Sequence, residues 1–445
     1  MSKLEGKSKS SEPCIPSVLE VTSNTDKGKK VSLTGDASFA RLLYYESMLD
    51  DTVRADVTFG DTGNSIDKKS VMEGLPLVGT EEVKLKFKDN DDNEVSLTLY
   101  ANKITPVFDD SVKSLVTMSL VSEEYIRNEQ GSSRVNIRFD GKISDNVDKI
   151  FKDYLKTKKK LDIEDTRNNL NFLGNNRKPL YTLNWLSRAS VPSTDGKFGD
   201  SAGYLFFETS EGYHFKSIDA LMAQEKKKSY IFNQSPDTEA VPAGYSGKIL
   251  EYTADNRVDV QKKYQMGAYG SRLVVFDPFN CKYQVVKQTA EETKKRKGIH
   301  TAGKDLPKLN PIFENEQKNE FTRTTYMLID TGTIPTGDTE EQIKKSQDEN
   351  FESRQILNQA IRRYNQLYTG MVTVTIAGDF SLHAGDAIFV DSPGLTPDRD
   401  DSINREFGGL YIIADLCHYI SPQETYTKLN LVRDSFGRTG NHTLR

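Results

Sequence analysis

Val83-Lys84-Leu85-Lys86-Phe87-Lys88 alternates apolar and charged residues. A period of two puts Val83, Leu85 and Phe87 on one face of a strand and the three lysines in water. After the polar turn Asp89-Asn90-Asp91-Asp92-Asn93-Glu94, the residues Val95, Leu97 and Leu99 repeat the pattern, and Val116, Met118 and Leu120 do so again. Short antiparallel strands with one wet face form a small barrel or sandwich, so Ser17 to about Ile126 reads as all-β.

The character changes further along. Ser144 can cap a helix whose Val147, Ile150, Phe151, Tyr154 and Leu155 share one face, and Pro179 suits the start of a second helix carrying Leu183, Trp185 and Leu186. Tyr204–Glu208 and Tyr213–Phe215 flank the turn Ser210–Gly212 as a hairpin, and Ser217 caps a short helix bearing Ile218, Leu221 and Met222. Strands resume at Arg272–Phe276 and Lys282–Val286. The polar stretches 291–320 and 333–350 read as loops outside the core. A helix from Phe351 to Tyr368 presents Leu357, Ala360, Ile361, Tyr364 and Leu367 on one side, with Gly370 suited to C′. The last hundred residues are β again, beginning with the alternation of Val372, Val374 and Ile376.

The expected fold class is therefore α+β, mainly β, with two small antiparallel β-barrels flanking an α+β insertion. Its divisions are a disordered tail at 1–14, a first barrel at 15–130, and a middle domain at 131–265 plus 291–320. The second barrel takes 266–290 with 321–437, and 438–445 is a tail. The two β regions end in similar words. Ile104-Thr105-Pro106 precedes Met118-Ser119-Leu120-Val121-Ser122-Glu123, and Ile420-Ser421-Pro422 precedes Leu429-Asn430-Leu431-Val432-Arg433-Asp434. Either the barrels are related, or two antiparallel hairpins simply look alike.

The 445 residues carry a formal charge of −5, from 60 basic and 65 acidic side chains, which argues against a protein that grips nucleic acid through phosphates. No apolar run reaches the roughly 20 residues of a spanning helix. Cys14, Cys281 and Cys417 are far apart and odd in number, which points to a reducing compartment. His214, His300, His383, His418 and His442 show no metal-ligand spacing. Cys417 and His418 are neighbours on a strand and point to opposite faces, so they form no nucleophile–base pair. Asp89–Glu94 resembles the opening of a calcium loop but lacks the glycine and the bidentate glutamate, and reads as a solvated hairpin tip. Asp398, Asp400 and Asp401 sit in a Pro/Gly-rich loop, and Lys294–Lys297 is a solvated charge run. Neither a P-loop nor GxGxxG is present. No catalytic, cofactor-binding or metal-binding residue is nominated.

One stretch, Gly203-Tyr204-Leu205-Phe206-Phe207-Glu208-Thr209-Ser210-Glu211-Gly212-Tyr213-His214-Phe215-Lys216-Ser217-Ile218-Asp219-Ala220-Leu221, resembles a segment of the central baseplate hub proteins of contractile-tailed, T-even-like bacteriophages. Lys142–Val147, Asn175–Pro179 and Leu183–Leu186 are similar to that family's middle domain. Gly378-Asp379-Phe380-Ser381-Leu382-His383-Ala384-Gly385-Asp386 resembles a turn in one of its barrels, continued by Gly409–Ile413 and Tyr426–Leu429. The likeness covers about 140–437, the first β region agreeing only in type and order.

This resemblance implies a structural, non-enzymatic homotrimer with no cofactor, in which three chains present six similar barrels. Such a ring would adapt a six-fold tail tube to a three-fold spike (tail-lysozyme) protein. Tape-measure protein and then DNA would pass through it without specific binding, and wedge proteins would surround it. The implied location is the tail baseplate of the virion, assembled in the host cytoplasm, with no membrane insertion. Gly378 and Gly385 would permit tight turns braced by Asp379 and Asp386. Trp185, Phe206 and Phe207 are expected in the middle-domain core. The rival readings are a tail-associated cell-wall hydrolase, which requires a carboxylate or Cys/His cleft, and the hub of a non-phage contractile injection system.

Overall fold

The computed structural model describes residues 12–26, 28–35, 37–110, 113–193, 202–232, 241, 244–256, 259–267, 269–279, 281–289, 301–304, 310–316, 323–330, 340, 350, 353–392 and 407–438. The first β region supplies β1 (Val18–Thr22), β2 (Lys30–Ser32), β3 (Ser38–Ser47), β4 (Arg54–Asp61), β5 (Glu82–Lys88), β6 (Glu94–Asp109) and β7 (Ser114–Val121). They pair in the order β3-β4-β7-β6-β5-β1-β2, antiparallel throughout. Alternation does what the sequence requires: Val83, Leu85 and Phe87 are buried while Lys84 and Lys88 are exposed. The sheet wraps one core that includes Leu42, Val57, Phe59, Phe87 and Met118. Each such side chain contributes roughly 1.5–3 kcal/mol by leaving water.

The middle unit contains β8 (Arg138–Phe139), β9 (Leu161–Ile163), β10 (Phe172–Leu173), β11 (Tyr204–Thr209) and β12 (Gly212–Ser217). Helices Ile143–Asp153 and Pro179–Ala189 pack over them. Pro179 opens its helix, and the Ser217 hydroxyl accepts from Ala220 N–H, both as expected. Ser144 instead lies inside the first turn, and Lys142 occupies the cap position.

β13 (Lys228–Ile231) and β14 (Gly247–Asn256) come next, followed by β15 (Gly270–Asp277), β16 (Lys282–Thr289) and β17 (Arg323–Leu328), and finally β18 (Gly370–Ala377), β19 (Ala387–Asp391), β20 (Gly409–Ile420) and β21 (Thr425–Arg433). A closed ring of six strands runs β13-β14-β18-β21-β20-β19 and back to β13. It is mixed rather than purely antiparallel, because β13 lies parallel to both β14 and β19. Its strands also differ from the division read in the sequence. That division puts β13 and β14 in the middle domain, whereas β15, β16 and β17, expected in the barrel, form a separate three-stranded sheet. That sheet packs Leu273 and Val275 into the middle core. The helix Ser353–Leu367 lies against it and against Pro179–Ala189, and Gly370, expected just past the helix, opens β18.

The two β regions share one plan. Leaving out the edge strand β2, the first reads β3-β4-β7-β6-β5-β1 and the second β14-β18-β21-β20-β19-β13. In each, the strands taken in chain order occupy the same positions. Two of the three irregularities in each region coincide as well. β6 shifts register between Ala101 and Lys103 and β20 between Ile413 and Asp415. β3 shifts between Phe39 and Arg41, and β14 between Ile249 and Glu251. Bulges in a ladder are specific local features, so paired bulges mark paired positions. Among the described residues the first sheet lacks the pairing that closes the second, and its counterpart of the parallel β13–β19 contact, β1–β5, is antiparallel.

This plan tests the echo in the sequence. Val121 pairs with Arg54 and Tyr100, and Val432 with Met371 and Ile412, so Met118–Val121 and Leu429–Val432 occupy equivalent positions. The Ile-Thr-Pro and Ile-Ser-Pro words do not. Pro106 lies inside β6, beside a second bulge, whereas Pro422 follows the end of β20.

Three expected edges also move. Cys14, placed in the tail, donates its Sγ–H to Lys88 O. Arg438, also placed in a tail, binds both carboxylate oxygens of Asp391. Ala302, within an expected loop, is fully buried, its N–H bonded to Asp434.

Candidate assembly interface

β20 belongs both to the closed ring and to the sheet of the first β region. Its first half, Gly409–Ile412, pairs with β19, and on that same edge Asp415–Ile420 pairs antiparallel with Ser47–Leu42 of β3. The result is one continuous sheet of thirteen strands. Across this seam the His418 ring stacks on Tyr44 with centroids 5.9 Å apart and meets Phe380 at 4.7 Å, and Phe380 meets Phe87 edge-on at 4.9 Å. Aromatic contacts thus run from one core into the other. Phe380 and Ile420, from the second β region, lie in the first region's core.

Four groups buried or half-buried beside the seam converge on Glu46. Glu46 points inward because it continues the face of Leu42 and Tyr44. Its Oε1 accepts from Tyr44 OH at 2.9 Å and from Ser210 N–H at 2.8 Å, its Oε2 accepts from Ala384 N–H at 3.0 Å, and His383 Nδ1 is 3.3 Å from Oε1. Burial by itself raises a carboxyl, but His383 and the two N–H donors prevail and hold Glu46 below the usual range. Burial likewise opposes charge on His383, and the contact with Glu46 overrides it, raising the imidazole above its ordinary value.

The hairpin β11–β12 is wedged against this seam. Glu208 accepts from Val53 N–H at 2.9 Å and Ser122 OH at 2.6 Å, and Lys159 binds both Glu208 (2.5 Å) and Glu124 (2.6 Å). Burial keeps Glu208 above the normal carboxylate range despite Lys159. Phe206 is in the middle core, with Trp185 packed against it, as expected; Phe207 instead turns toward the second barrel. A further buried cation, Arg363, joins the long helix to Asp219 (2.9 Å) and Asp434 (2.5 Å).

The Gly-Asp turn closes the seam. Gly385 has φ +88°, and a Cβ there would lie 2.8 Å from Phe207 Cζ. Asp379 accepts from Ser381 OH, Lys228 Nζ and Tyr230 OH at 2.6–2.7 Å, and Asp386 accepts from His383 N–H. The first sheet has the equivalent turn. Thr80 has φ +66° and donates its N–H to Ala101 O, while Glu81 O accepts from Ala101 N–H, as Gly385 and Asp386 do with Ile413.

The residues weighed for chemistry take structural positions. His418 is fully buried, its Nδ1 3.0 Å from Thr427 Oγ1, and burial lowers it to about 4. Cys417 faces the other way, and burial pushes its thiol up to about 11. His214 sits 2.9 Å from Thr209 Oγ1 and is lowered by burial. In the acidic hairpin, Asp89 is not solvated as expected. It folds back to accept from Asp91 and Asn93 N–H and reaches Phe380 N–H in the second β region at 2.9 Å. His300, His442, Lys294–Lys297 and Asp398, Asp400 and Asp401 lie outside the described residues. Among those described, no three His, Cys, Asp or Glu side chains are grouped to hold a metal, and no helix is long and apolar enough to cross a membrane. A cavity of about 870 Å³ opens between the long helix, β17 and Pro179–Ala189, lined by Tyr181, Tyr326, Ile361 and Tyr364.

No protein-family model matches the chain, and no curated protein does. Solved structures do. The 43 kDa tail protein of prophage MuSo2 from Shewanella oneidensis aligns with a TM-score of 0.50 at 10% identity, covering 94% of this chain and 98% of that one. A tail protein from Neisseria meningitidis MC58 gives 0.49 at 11% identity, covering 94% and 96%. An E. coli component of the type VI secretion system gives 0.43 at 10%, covering 92% and 78%. The Shewanella comparison carries the conclusion: this chain has the fold of a prophage tail protein.

Proposed function

We propose that the chain is a structural hub of a contractile tail baseplate, with no catalytic role. Three copies form a ring of six barrels that joins a six-fold tube to a three-fold spike and surrounds the channel used by tape-measure protein and DNA. Wedge proteins meet its outer face, and it is assembled into virions in the host cytoplasm. The observation that carries this reading is the repeated plan: one chain presents two wall elements with the same strand order and two bulges at matching positions. A three-fold object built from such chains offers near-equivalent contacts to both partners. The fold shared with a prophage tail protein supports the same reading. A net charge of −5 per chain suits a conduit that must not hold DNA.

Light scattering and negative-stain imaging of the purified protein test this. The expected result is a mass three times the 50.1 kDa chain and a six-lobed ring. A monomer or dimer at high concentration overturns it, as does clear lysis of bacterial cell wall in a zymogram.

A further inference from the structure

The seam between β20 and β3 is filled, and the chain also carries both halves of a second seam of the same kind. β6 is the counterpart of β20. Tyr100 pairs with Glu82 of β5 and Val121 of β7, as Ile412 pairs with Ala387 of β19 and Val432 of β21, and each strand then bulges. Beyond that bulge β20 takes β3 on the edge that β19 has left. On the matching edge of β6, residues 103–108 have no strand among the described residues. β14 is the counterpart of β3. Among the described residues, its edge away from β18 carries a ladder only at Gly247 and Lys248, with β13.

Burial separates the two seams. Tyr44 and His418, opposite each other in the filled one, are 0% exposed. Their counterparts Ala254 and Pro106 are both exposed. Large apolar side chains stand in water on the same two strands: Val107 at 60%, Phe108 at 58% and Leu250 at 49%. An open strand edge flanked by exposed apolar groups is a template for another strand. β6 and β14 do not meet within one chain, because β18, β21, β20, β3, β4 and β7 lie between them in the sheet.

We propose that β6 of one copy pairs antiparallel with β14 of a second copy, with Pro106 opposite Ala254, reproducing the β20–β3 seam. Pro106 has no N–H, so this ladder is short of a donor there. The contact is head-to-tail, joining different surfaces of the two copies, and its rotation decides between a closed ring and a filament. The number of copies rests on the hub reading; the pairing itself does not.

The test uses the full chain with Pro106→Cys and Ala254→Cys, in a Cys281→Ser background that removes an exposed thiol. Directly opposite strand positions are close enough for a disulfide. Oxidation is expected to shift the denatured protein from one chain to two and three, reversed by reductant. Pro106→Cys with Glu251→Cys, out of register, is expected to give no shift. Hydrogen exchange of the unsubstituted protein is the second measurement, with slow amides expected over 103–108 and 250–254 in the assembled form. A trimer by light scattering that neither cross-links nor protects these amides overturns the pairing and leaves the hub reading standing. Cross-linked chains whose mass grows past three without closing support the pairing and overturn the six-barrel ring. A monomer with both edges exchanging freely overturns both.

Discussion

Glu46→Gln is the substitution whose effect the structure fixes best. The amide keeps the shape of the carboxylate but must turn its NH2 toward a donor. The milder choice faces Ala384 N–H, leaving that buried group without an acceptor, at about 1–3 kcal/mol. The opposite choice meets both Tyr44 OH and Ser210 N–H. Charge pairing with His383 is lost either way, and the sum is about 3 kcal/mol, about 3 °C in melting temperature for a chain of this size. The pH dependence follows from the directions of the two shifts. Glu46 is depressed, so its contribution is present above the ordinary carboxylate pKa and lost as pH falls through its folded value. His383 is raised, so its contribution is present below the ordinary imidazole pKa and lost as pH rises through its folded value. The wild type therefore gains most from this pair between roughly pH 4.5 and 6.5, and the variant lacks both slopes. Thermal unfolding followed by circular dichroism at pH 6 and pH 8 reads this directly. A variant that melts within 1 °C of wild type at pH 6 would show that Glu46 does not hold the seam.

Other substitutions probe neighbouring groups. Lys159→Met leaves Glu208 and Glu124 buried without their cation and is expected to cost about 3 kcal/mol at pH 7.5 and less at pH 5, which is closer to the point where the raised Glu208 carboxyl takes up a proton; equal losses at both would refute it. Gly385→Ala places a methyl against Phe207 on left-handed backbone, whereas Gly141→Ala carries the same backbone strain into open space. The first is expected to destabilise by about 2 kcal/mol more in urea melts. Acidification from pH 6.5 toward 4 costs the wild type about 3 kcal/mol through His418, because the unfolded chain takes up a proton that the buried ring refuses. In His418→Phe that part of the acid sensitivity is expected to vanish, read as a smaller drop in melting temperature between the two pH values.

Much of this fold is written in local pattern. The alternating runs at 83–88, 95–99, 116–120 and 372–376 and the helices at 143–153, 179–189 and 353–367 each bury the face that their periodicity marks. Pairings between distant segments are less legible. Lys228–Ile231 has no alternation to announce a barrel strand, and its partner Ile388–Asp391 lies far along the chain in a parallel ladder. Arg272–Phe276 reads correctly as a strand, but nothing local says which sheet it joins. The echo shows both outcomes. Its second half stands in register, while its first is displaced because Pro106 sits at a bulge instead of a strand end. At the interface a signal was present: Glu46 keeps step with Leu42 and Tyr44, so its inward direction follows from the period of two. Glu208 keeps step with Tyr204 and Phe206 in the same way, but the countercharges that Glu208, Arg363 and Asp434 need are announced by no local pattern. Their burial depends on partners supplied by other elements.

Because β20 is a stave of one closed cylinder and also a strand of the neighbouring open sheet, the described residues hold no linker at this joint about which one could swivel against the other. A torque applied to either is met by a row of peptide hydrogen bonds loaded together in shear, a stiff arrangement with little give before it ruptures. Insertions within that strand would throw both sheets out of step at once, so change of length must be confined to the connecting segments, where each half is free to diverge on its own.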